Sequence, residues 1–278
     1  MAEKAASLKT GGVGLLRTNF LIDEELKHPF YYYIKKGKQD ELVDLLARGI
    51  ERVAKAFAPK PVWVRTMDFT TEELALLEEG QYEVHEENPL LGWRGIARTL
   101  KQSELLDADL LALKRVVDAG YTNVGVIFPM VRDISEYREA KRRMQKLGLK
   151  PHTDIKVSSM FETPSAAVEV DDFIAEGLDL AFIGMNDITM YMLAADRTNP
   201  NMWASYDPAN PAVLSVVYAL LEKCKKAGVE TTASFLSALK PVLPVLLEKG
   251  LTSVTLQADR INEVGELLVA AEKASGAA

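Results

Sequence analysis

The sequence has little cysteine, no excess of basic residues and no long apolar run, and each absence excludes a class of protein. Its single cysteine, Cys224, cannot support an internal disulfide framework, and its place late in an amphipathic helical pattern favours a structural role. The 33 basic and 40 acidic residues give a net charge of −7, which excludes a general attraction to nucleic acid or to an anionic membrane. The polar start of the chain, residues 1–10, lacks the apolar segment of a secretion signal. We therefore expect a soluble, cytoplasmic protein.

Short β-branched segments alternate with longer helical patterns along the chain, as in parallel sheets with crossover helices. A length of 278 residues with 48% hydrophobic content suffices for one large core, and α/β barrels commonly occupy about 250 residues. We predict an α/β fold, a (β/α)8 TIM barrel, as a single domain over residues 11–278 after a flexible tail over residues 1–10. The predicted strands are 13–18, 62–66, 92–97, 124–129, 155–161, 180–184, 229–233 and 253–257.

Helical patterns lie between these strands, and several of them end at a glycine, as helix C-termini often do. The predicted helices are 38–57, 108–119, 134–147, 166–176, 211–227, 236–249 and 262–274. Two longer loops are predicted over residues 70–89 and 197–210. Long loops on the catalytic face of a barrel often act as lids or binding elements.

Two carboxylates, Glu162 and Asp187, each follow an apolar segment that is predicted to be a buried strand. The carboxyl ends of neighbouring barrel strands meet at the face that carries the active site. Because carboxylate oxygens suit Mg²⁺ or Mn²⁺ better than zinc, the pair predicts a divalent-metal site. The alternative is that both acids only cap the helices that follow, and for either acid alone that alternative is the better interpretation.

Arginines end or follow strands on the same predicted face: Arg17, Arg65 and Arg94, with Arg197 as the weakest candidate. Guanidinium groups bind phosphate or carboxylate through two parallel hydrogen bonds. Several of them beside a divalent ion predict a site for a phosphorylated or dicarboxylate-like anion. The alternative for each is a surface ion pair with a nearby acid, which for Arg197 would be Asp196.

An ordered set of motifs contains these residues. The motifs are GVGLLRT at residues 12–18, VRTMD at 64–68, NPLLGWR at 88–94, FPMV at 128–131, MFETPSAA at 160–167 and IGMNDIT at 183–189. Together they resemble the PEP/pyruvate-binding barrel of the PEP-utilising enzymes, a family that includes phosphoenolpyruvate synthase, pyruvate phosphate dikinase and enzyme I of the sugar phosphotransferase system. The resemblance covers nearly the whole chain.

The resemblance implies a role for each matching residue. Glu162 and Asp187 would hold the catalytic Mg²⁺ (or Mn²⁺). The implied substrate-binding residues are Arg17, Arg65, Arg94, Asn186 and Arg197. Arg17 and Arg65 would also be catalytic, because arginines neutralise the phosphoryl group of PEP during its transfer.

The sequence departs from the family where a cysteine normally exchanges a proton with the methyl carbon of pyruvate. The matching stretch is TTASFL at residues 231–236, in which Ser234 takes the place of the cysteine. Ser234 is thus the implied catalytic residue, although a serine hydroxyl is a far weaker acid than a thiol near neutral pH. Asn19 also stands where enzyme I-like sequences have glutamate.

The relatives carry further domains, whereas these residues match only the barrel. The resemblance therefore implies a phosphohistidine or ATP-grasp domain on another polypeptide, or a chain that is a fragment of a longer gene. Three interpretations follow. The chain is a PEP synthase-like component acting with Mg²⁺ in phosphoryl transfer, a non-catalytic PEP- or pyruvate-binding regulatory subunit, or an Mg²⁺-dependent carbon–carbon lyase acting through a pyruvate-type enolate. A homodimer is the expected state.

Overall fold

The computed structural model describes residues 2–8, 10–18 and 28–275, so Asn19 lies outside the described residues. The chain divides into two compact units. The first unit comprises Met1–Ser7, Gly11–Met130 and Ser135–Val157, and the second comprises Leu8–Thr10, Val131–Ile134 and Ser158–Ala278. The expectation of a single domain over residues 11–278 stays a prediction.

The first unit contains three parallel strands, β1 (Val13–Arg17), β2 (Val62–Arg65) and β3 (Val124–Phe128). All three match predicted strands closely. In the register of β1 and β2, Arg17 lies opposite Arg65, the last residue of each strand. Both β2 and β3 are buried along their whole length, as expected of parallel strands covered on two faces.

One helix of the first unit precedes β1, and the others follow its strands. They are α1 (Ala2–Ala6), α2 (Phe30–Lys35), α3 (Gln39–Phe57), α4 (Thr71–Ala75), α5 (Gly95–Lys101), α6 (Ser103–Asp118) and, from its second residue on, α7 (Ile134–Lys146). The apolar side chains of α3 recur at helical spacing, with Leu42, Leu46, Ile50 and Val53 buried, and α3 packs on α6. Within the tail that was predicted to be flexible, α1 is helical and contacts α3.

The predicted strand over residues 92–97 is wrong. Arg94 has an extended backbone, but the next residue, Gly95, starts α5 with a φ of 58°. A side chain at Gly95 would place its Cβ 2.6 Å from the Cβ of Met130. Gly95 therefore supplies a tight turn, and the apolar residues that resembled a strand, among them Ile96, become the buried face of a helix.

The second unit contains the strands β4 (Lys156–Phe161), β5 (Leu180–Ile183), β6 (Glu230–Ser234) and β7 (Ser253–Thr255). They pair in parallel, with Phe161 opposite Ile183 and Ile183 opposite Ala233. Glu162 and Gly184, the residues that follow β4 and β5, are therefore neighbours at the carboxyl ends of two adjacent strands.

The helices of the second unit are α8 (Pro164–Val168), α9 (Val170–Glu176), α10 (Met185–Leu193), α11 (Pro211–Ala227), α12 (Leu243–Lys249) and α13 (Ile261–Ser275). The predicted helix 166–176 is thus two short helices. The predicted helix 236–249 begins as a 3-10 helix, Ser237–Val242, which contains Pro241; proline lacks the N–H that a regular helix would use.

Strands β1 to β7 alternate regularly with helices, and the strand pairs within each unit are parallel. This arrangement confirms the predicted α/β class of (β/α) barrels. Seven of the eight predicted strands form within the described residues. Across residues 2–8, 10–18 and 28–275, every helix is too short or too polar to cross a bilayer.

Candidate active site

In the first unit, two of the predicted arginines end adjacent strands. Arg65 is the last residue of the fully buried β2 and is itself buried, whereas Arg17, its register partner at the end of β1, is exposed. The parallel register therefore places one buried and one exposed guanidinium-bearing residue at the same edge of the strand pair, where an anion from solvent could be bound.

A buried carboxylate, Asp68, holds Arg65 and Arg94 in place. It accepts hydrogen bonds from Nε and Nη2 of Arg94 at 2.7 and 2.6 Å, and its Oδ2 lies 2.9 Å from Nη1 of Arg65. Burial alone would raise the pKa of Asp68, but Arg65, Arg94 and Arg17 together outweigh burial and lower it. Asp68 is therefore ionised, and the cluster carries more positive than negative charge.

Arg65 and Arg94 do pair with an acid, as the alternative interpretation held, but the pair is buried and not at the surface. Asp68 was not among the predicted site residues. Its only signal was its position three residues after Arg65, at the end of the VRTMD motif.

The backbone that presents Arg94 is fixed by Glu86. One oxygen of Glu86 accepts the Trp93 N–H at 2.9 Å, and the other accepts the hydroxyl of Thr71 at 2.9 Å. Gly92 is needed here, because a Cβ on it would lie 2.4 Å from a Glu86 carboxylate oxygen. Glu86 therefore closes the loop onto itself directly before Arg94.

A second contact anchors the same loop, which includes the predicted loop 70–89 that was expected to act as a lid or a binding element. Arg98 donates to both oxygens of Glu83 at 3.0 and 2.8 Å, and both side chains are buried. The guanidinium of Arg98 also lies 5.1 Å from the ring centre of Trp93. The loop is thus held by buried polar contacts and contains a helix, α4, with a capping box between Thr70 and Glu73.

In the second unit, Glu162 lies directly after β4 and is only 2% exposed. Its side chain packs against Gly184, the residue after β5; a Cβ on Gly184 would lie 2.6 Å from the Glu162 Cβ and 2.9 Å from its Oε2. The Gly184 N–H also donates to the Phe161 carbonyl at 3.1 Å. The absence of a side chain at Gly184 therefore gives the Glu162 carboxylate its position.

Asp187 lies three residues beyond Gly184, in the first turn of α10, and is 8% exposed. Arg197 donates to Asp187 Oδ2 at 2.9 Å, so its acidic partner is Asp187. The alternative pairing with Asp196 is not the hydrogen-bonded one, because Asp196 accepts the N–H and the hydroxyl of Thr198 at 2.8 and 2.7 Å.

The two acids differ in how far they resemble helix caps. Thr163, not Glu162, caps α8 by accepting the Ala166 N–H. Asp187 does lie in the first turn of a helix, where negative charge is favourable. Helix capping therefore does not account for the buried position of Glu162. A buried carboxylate needs a cationic or hydrogen-bonding environment.

The donor set of Glu162 and Asp187 fits a hard divalent ion. Both side chains are buried, both offer only oxygen, and they flank Gly184 at adjacent strand ends. Within the described residues, no group of three or more His, Cys, Asp and Glu side chains is gathered that could hold a metal alone. Mg²⁺ commonly uses one or two carboxylates and takes its remaining ligands from substrate and water. The metal role of both acids stays a prediction.

Ser234 and Tyr206 each contact one of the first residues of α10. The Ser234 hydroxyl, at the end of β6, accepts the Met185 N–H at 3.0 Å. The Tyr206 hydroxyl lies 3.2 Å from both the backbone and the side-chain oxygen of Asn186. Burial raises the pKa of Tyr206; the charge of Arg197 opposes this in part, and the charge of Asp187 adds to it. The hydroxyl therefore stays protonated and donates to Asn186.

The predicted site residues therefore form two groups, one in each unit. The first unit gathers Arg17, Arg65 and Arg94 around Asp68. The second unit gathers Glu162, Asp187, Asn186, Arg197 and Ser234 around the start of α10.

Cys224 lies apart from both groups and is fully buried in α11 as a free thiol. Burial is the main cause that raises its pKa to about 12. The predicted structural role of Cys224 is confirmed, because a buried thiol with so high a pKa is a poor nucleophile.

Comparisons with known proteins place this geometry in a family. Residues 1–273 match the model of the family described as "PEP-utilising enzyme, PEP-binding domain". The chain is 42% identical over 274 residues to the phosphoenolpyruvate synthase of Pyrococcus furiosus, covering 98% of this chain and 33% of that protein. It is 39% identical over 275 residues to a probable phosphoenolpyruvate synthase of Archaeoglobus fulgidus, covering 98% of this chain and 36% of that protein. The chain thus spans about a third of the length of the curated relatives it matches.

Solved structures share the fold at low sequence identity. RipC from Yersinia pestis aligns with a TM-score of 0.51 at 10% identity, covering 95% of this chain and 91% of that chain. An aldolase/citrate lyase family protein from Burkholderia cenocepacia aligns with a TM-score of 0.51 at 17% identity, covering 98% and 87%. These structural similarities concern the fold alone. The family match and the sequence identities, in contrast, show common descent, and the chain therefore belongs to the PEP-utilising enzymes and carries their PEP-binding domain.

Proposed function

We propose that this chain is the PEP- and pyruvate-binding barrel of a phosphotransferase of the PEP synthase (pyruvate,water dikinase) type. The observation that carries the proposal is the 42% identity to a phosphoenolpyruvate synthase across 98% of this chain. The buried carboxylates and the arginine cluster support it, because they supply the two kinds of group that this chemistry needs.

Glu162 and Asp187 would hold Mg²⁺ or Mn²⁺. When bound, the ion supplies charge stabilisation for an enolate derived from pyruvate. The chain's own contribution is to keep the two carboxylates buried and oriented, with Gly184 fixing the position of Glu162.

The arginines of the first unit would bind the phosphoryl group. Asp68 orients Arg65 and Arg94 through buried contacts, so neither has to be ordered when the anion arrives. Arg17, at the exposed end of β1, adds a third positive charge close enough to affect Asp68. A preorganised cluster of this kind stabilises charge that develops during transfer.

In the second unit, Asn186 and Arg197 are the proposed substrate contacts, and Ser234 is the proposed proton-exchanging residue. Ser234 accepts the Met185 N–H, which fixes its oxygen and leaves its own proton free to be donated elsewhere. A hydroxyl is a weak acid towards carbon, so Ser234 would transfer the proton more slowly than a thiol.

The names of the relatives favour this function over the regulatory and lyase interpretations. The citrate lyase-type structures share only the fold. We further propose a cytoplasmic homodimer that receives its phosphoryl group from a phosphohistidine domain, with an associated ATP-grasp domain, supplied by another polypeptide.

Calorimetric titration with oxalate, a mimic of the pyruvate enolate, tests the metal site. Wild-type protein is expected to bind oxalate only with Mg²⁺ present, and Glu162→Gln and Asp187→Asn are expected to abolish this binding. Asp196→Asn is the matched control, because Asp196 lies close in sequence to Asp187 but contacts Thr198. Unchanged oxalate affinity in both site variants would refute the metal site.

Loss of the pyruvate methyl signal in D₂O, followed by proton NMR with Mg²⁺ and phosphate, tests the chemistry. We expect slow exchange that depends on Glu162 and becomes faster in Ser234→Cys. A wild-type protein that binds oxalate but never exchanges the methyl protons, even as Ser234→Cys, would instead be a binding or regulatory barrel.

A further inference from the structure

A second acid, Asp109, contacts the backbone of the arginine cluster. It lies on α6 and is only 2% exposed. Its Oδ2 accepts the Met67 N–H at 2.7 Å. Met67 stands between Arg65 and Asp68, so this hydrogen bond ties α6 to the turn that carries both members of the ion pair.

The other oxygen of Asp109 is buried and has no hydrogen-bond partner among the residues that the structure describes. Burial raises the pKa of Asp109 to about 7, and the Met67 N–H and the charge of Arg65 offset burial only in part. A carboxyl group in this position is therefore poised between its neutral and charged forms near physiological pH.

Arg65 is the charged side chain that acts on Asp109 from the neighbouring elements of the described chain. Strand β3, which also contacts α6, has the sequence VGVIF and contributes no titratable side chain. On α6 itself, Asp107 pairs with Arg143 of α7, Lys114 pairs with Asp118, Arg115 pairs with Asp40 and Asp44 of α3, and Glu104 is exposed in the first turn. Arg98 of α5 pairs with Glu83. Helix α2 contributes the buried Tyr33 and the exposed Lys35.

We propose that Asp109 is a positioning residue of the phosphoryl-binding cluster: it fixes the turn over residues 65–68 through the Met67 amide, and its charge state sets how much of the positive charge of Arg65 remains for an anionic substrate. The neutral form adds no negative charge beside Arg65, which pairs with Asp68. The charged form adds a second buried negative charge beside Arg65 and weakens its attraction for a phosphoryl group. This role rests on the proposed function.

The experiment compares PEP affinity, measured by calorimetry with Mg²⁺ at pH 6 and pH 8, in wild type, Asp109→Asn and Asp109→Leu. An asparagine can still accept a hydrogen bond from the Met67 N–H but cannot ionise, whereas a leucine can neither accept this hydrogen bond nor ionise. PEP itself loses a proton in this range, so the informative quantity is the ratio of wild-type to Asp109→Asn affinity at each pH. Asp107→Asn, on the same helix, is the matched control.

We expect a ratio near unity at pH 6 and a wild-type affinity about three- to tenfold below that of Asp109→Asn at pH 8. Asp109→Leu should bind PEP more weakly than Asp109→Asn at both pH values, and Asp107→Asn should follow the wild type. A wild-type to Asp109→Asn ratio that stays constant from pH 6 to pH 8 would overturn the charge role, whether or not Asp109→Leu folds.

The chemical shift of the Met67 amide, followed by NMR without ligand, tests the contact independently of PEP. It should titrate near pH 7 in the wild type and stay constant in Asp109→Asn; a shift that does not titrate in the wild type would overturn the inference. A wild type that binds no PEP would refute the proposed function, and the Met67 titration would then decide the Asp109 contact alone.

Discussion

Arg94 and Asp68 form a buried two-point ion pair, in which Nε and Nη2 of Arg94 donate to the two carboxylate oxygens of Asp68. Arg65 shares the same carboxylate. One acid thus orients two arginines that come from separate parts of the first unit, the end of β2 and the start of α5.

Replacing Asp68 by asparagine should destabilise the fold, because it leaves two buried guanidinium groups without their shared counter-charge. We expect a loss of about 3–5 kcal/mol in the free energy of unfolding at neutral pH, measured by denaturant titration. The pKa of Asp68 is lowered in the folded protein, so its ion pairs stabilise the fold above the ordinary carboxyl pKa. The difference between wild type and variant should therefore shrink as the pH falls below that value.

Asp118→Asn is the control for this experiment. Asp118 pairs with Lys114 at 2.6 Å on the surface, where an ion pair contributes little. A loss of similar size in both variants would contradict a special role for Asp68.

Adding a methyl group at Gly184 should displace Glu162, because the new Cβ would lie 2.6 Å from the Glu162 Cβ. Gly184→Ala is expected to weaken Mg²⁺-dependent oxalate binding by about 10- to 100-fold, as measured by calorimetry, while the protein still folds. In the control, Gly265→Ala, nothing lies within 4 Å of the added Cβ, and oxalate affinity should not change. Wild-type affinity in Gly184→Ala would show that Glu162 tolerates movement.

Removing the Tyr206 hydroxyl should loosen Asn186, since that hydroxyl lies 3.2 Å from the side-chain oxygen of Asn186. We expect Tyr206→Phe to raise the dissociation constant of PEP about three- to tenfold, which corresponds to the loss of one hydrogen bond. Tyr218→Phe on α11 serves as the control, with unchanged affinity expected. If Tyr206→Phe lowers only the melting temperature, the tyrosine stabilises the loop and does not position Asn186.

The buried carboxyl of Asp109 should make stability depend on pH. Its pKa rises from 3.8 to about 7 on folding, so the folded protein retains a proton that the unfolded chain has lost, and stability falls as the pH rises through this window. Asp109→Asn removes the effect. Its stability relative to wild type should increase from pH 5 to pH 7 by up to about 1.4 kcal/mol per pH unit and then level off. A difference that is constant with pH, in denaturant titrations, would contradict the raised pKa.

The Cys224 thiol should not react in the native protein. With a pKa of about 12, only about one thiol in ten thousand is ionised at pH 8. A chromogenic disulfide reagent is expected to label Cys224 only after guanidinium is added. Rapid labelling of the native protein would show that α11 opens or that the thiol is accessible.

The strands could be predicted where the segment contains at most one glycine. Segments 155–161 and 180–184 have that property, and both correspond to strands. Segment 92–97 contains both Gly92 and Gly95, which weaken a strand, and the positive φ of Gly95 is visible only in the structure.

The site could be predicted in part for a related reason. Strand ends and the family resemblance pointed to Arg65, Glu162 and Asp187, which depend on local sequence. Asp68 and Asp109 gain their importance from partners that are distant in sequence: Asp68 meets Arg94, and Asp109 meets the Met67 amide. In a single sequence, Asp109 is one more acid on an amphipathic helix, and nothing marks its burial.

Three side-chain contacts that hold the loop before α5 join residues between Thr70 and Arg98: Thr71 and Trp93 to Glu86, and Arg98 to Glu83. From outside this range, the Tyr31 hydroxyl donates to the Glu79 carbonyl at 2.6 Å. The residues of such a segment should change together in evolution. Changes at Glu83 are expected to be matched at Arg98, and changes at Glu86 to be matched at Thr71 or Gly92, with little dependence on the strands. Exchanging residues 70–98 between relatives as one piece should therefore preserve the fold better than exchanging either half of the loop.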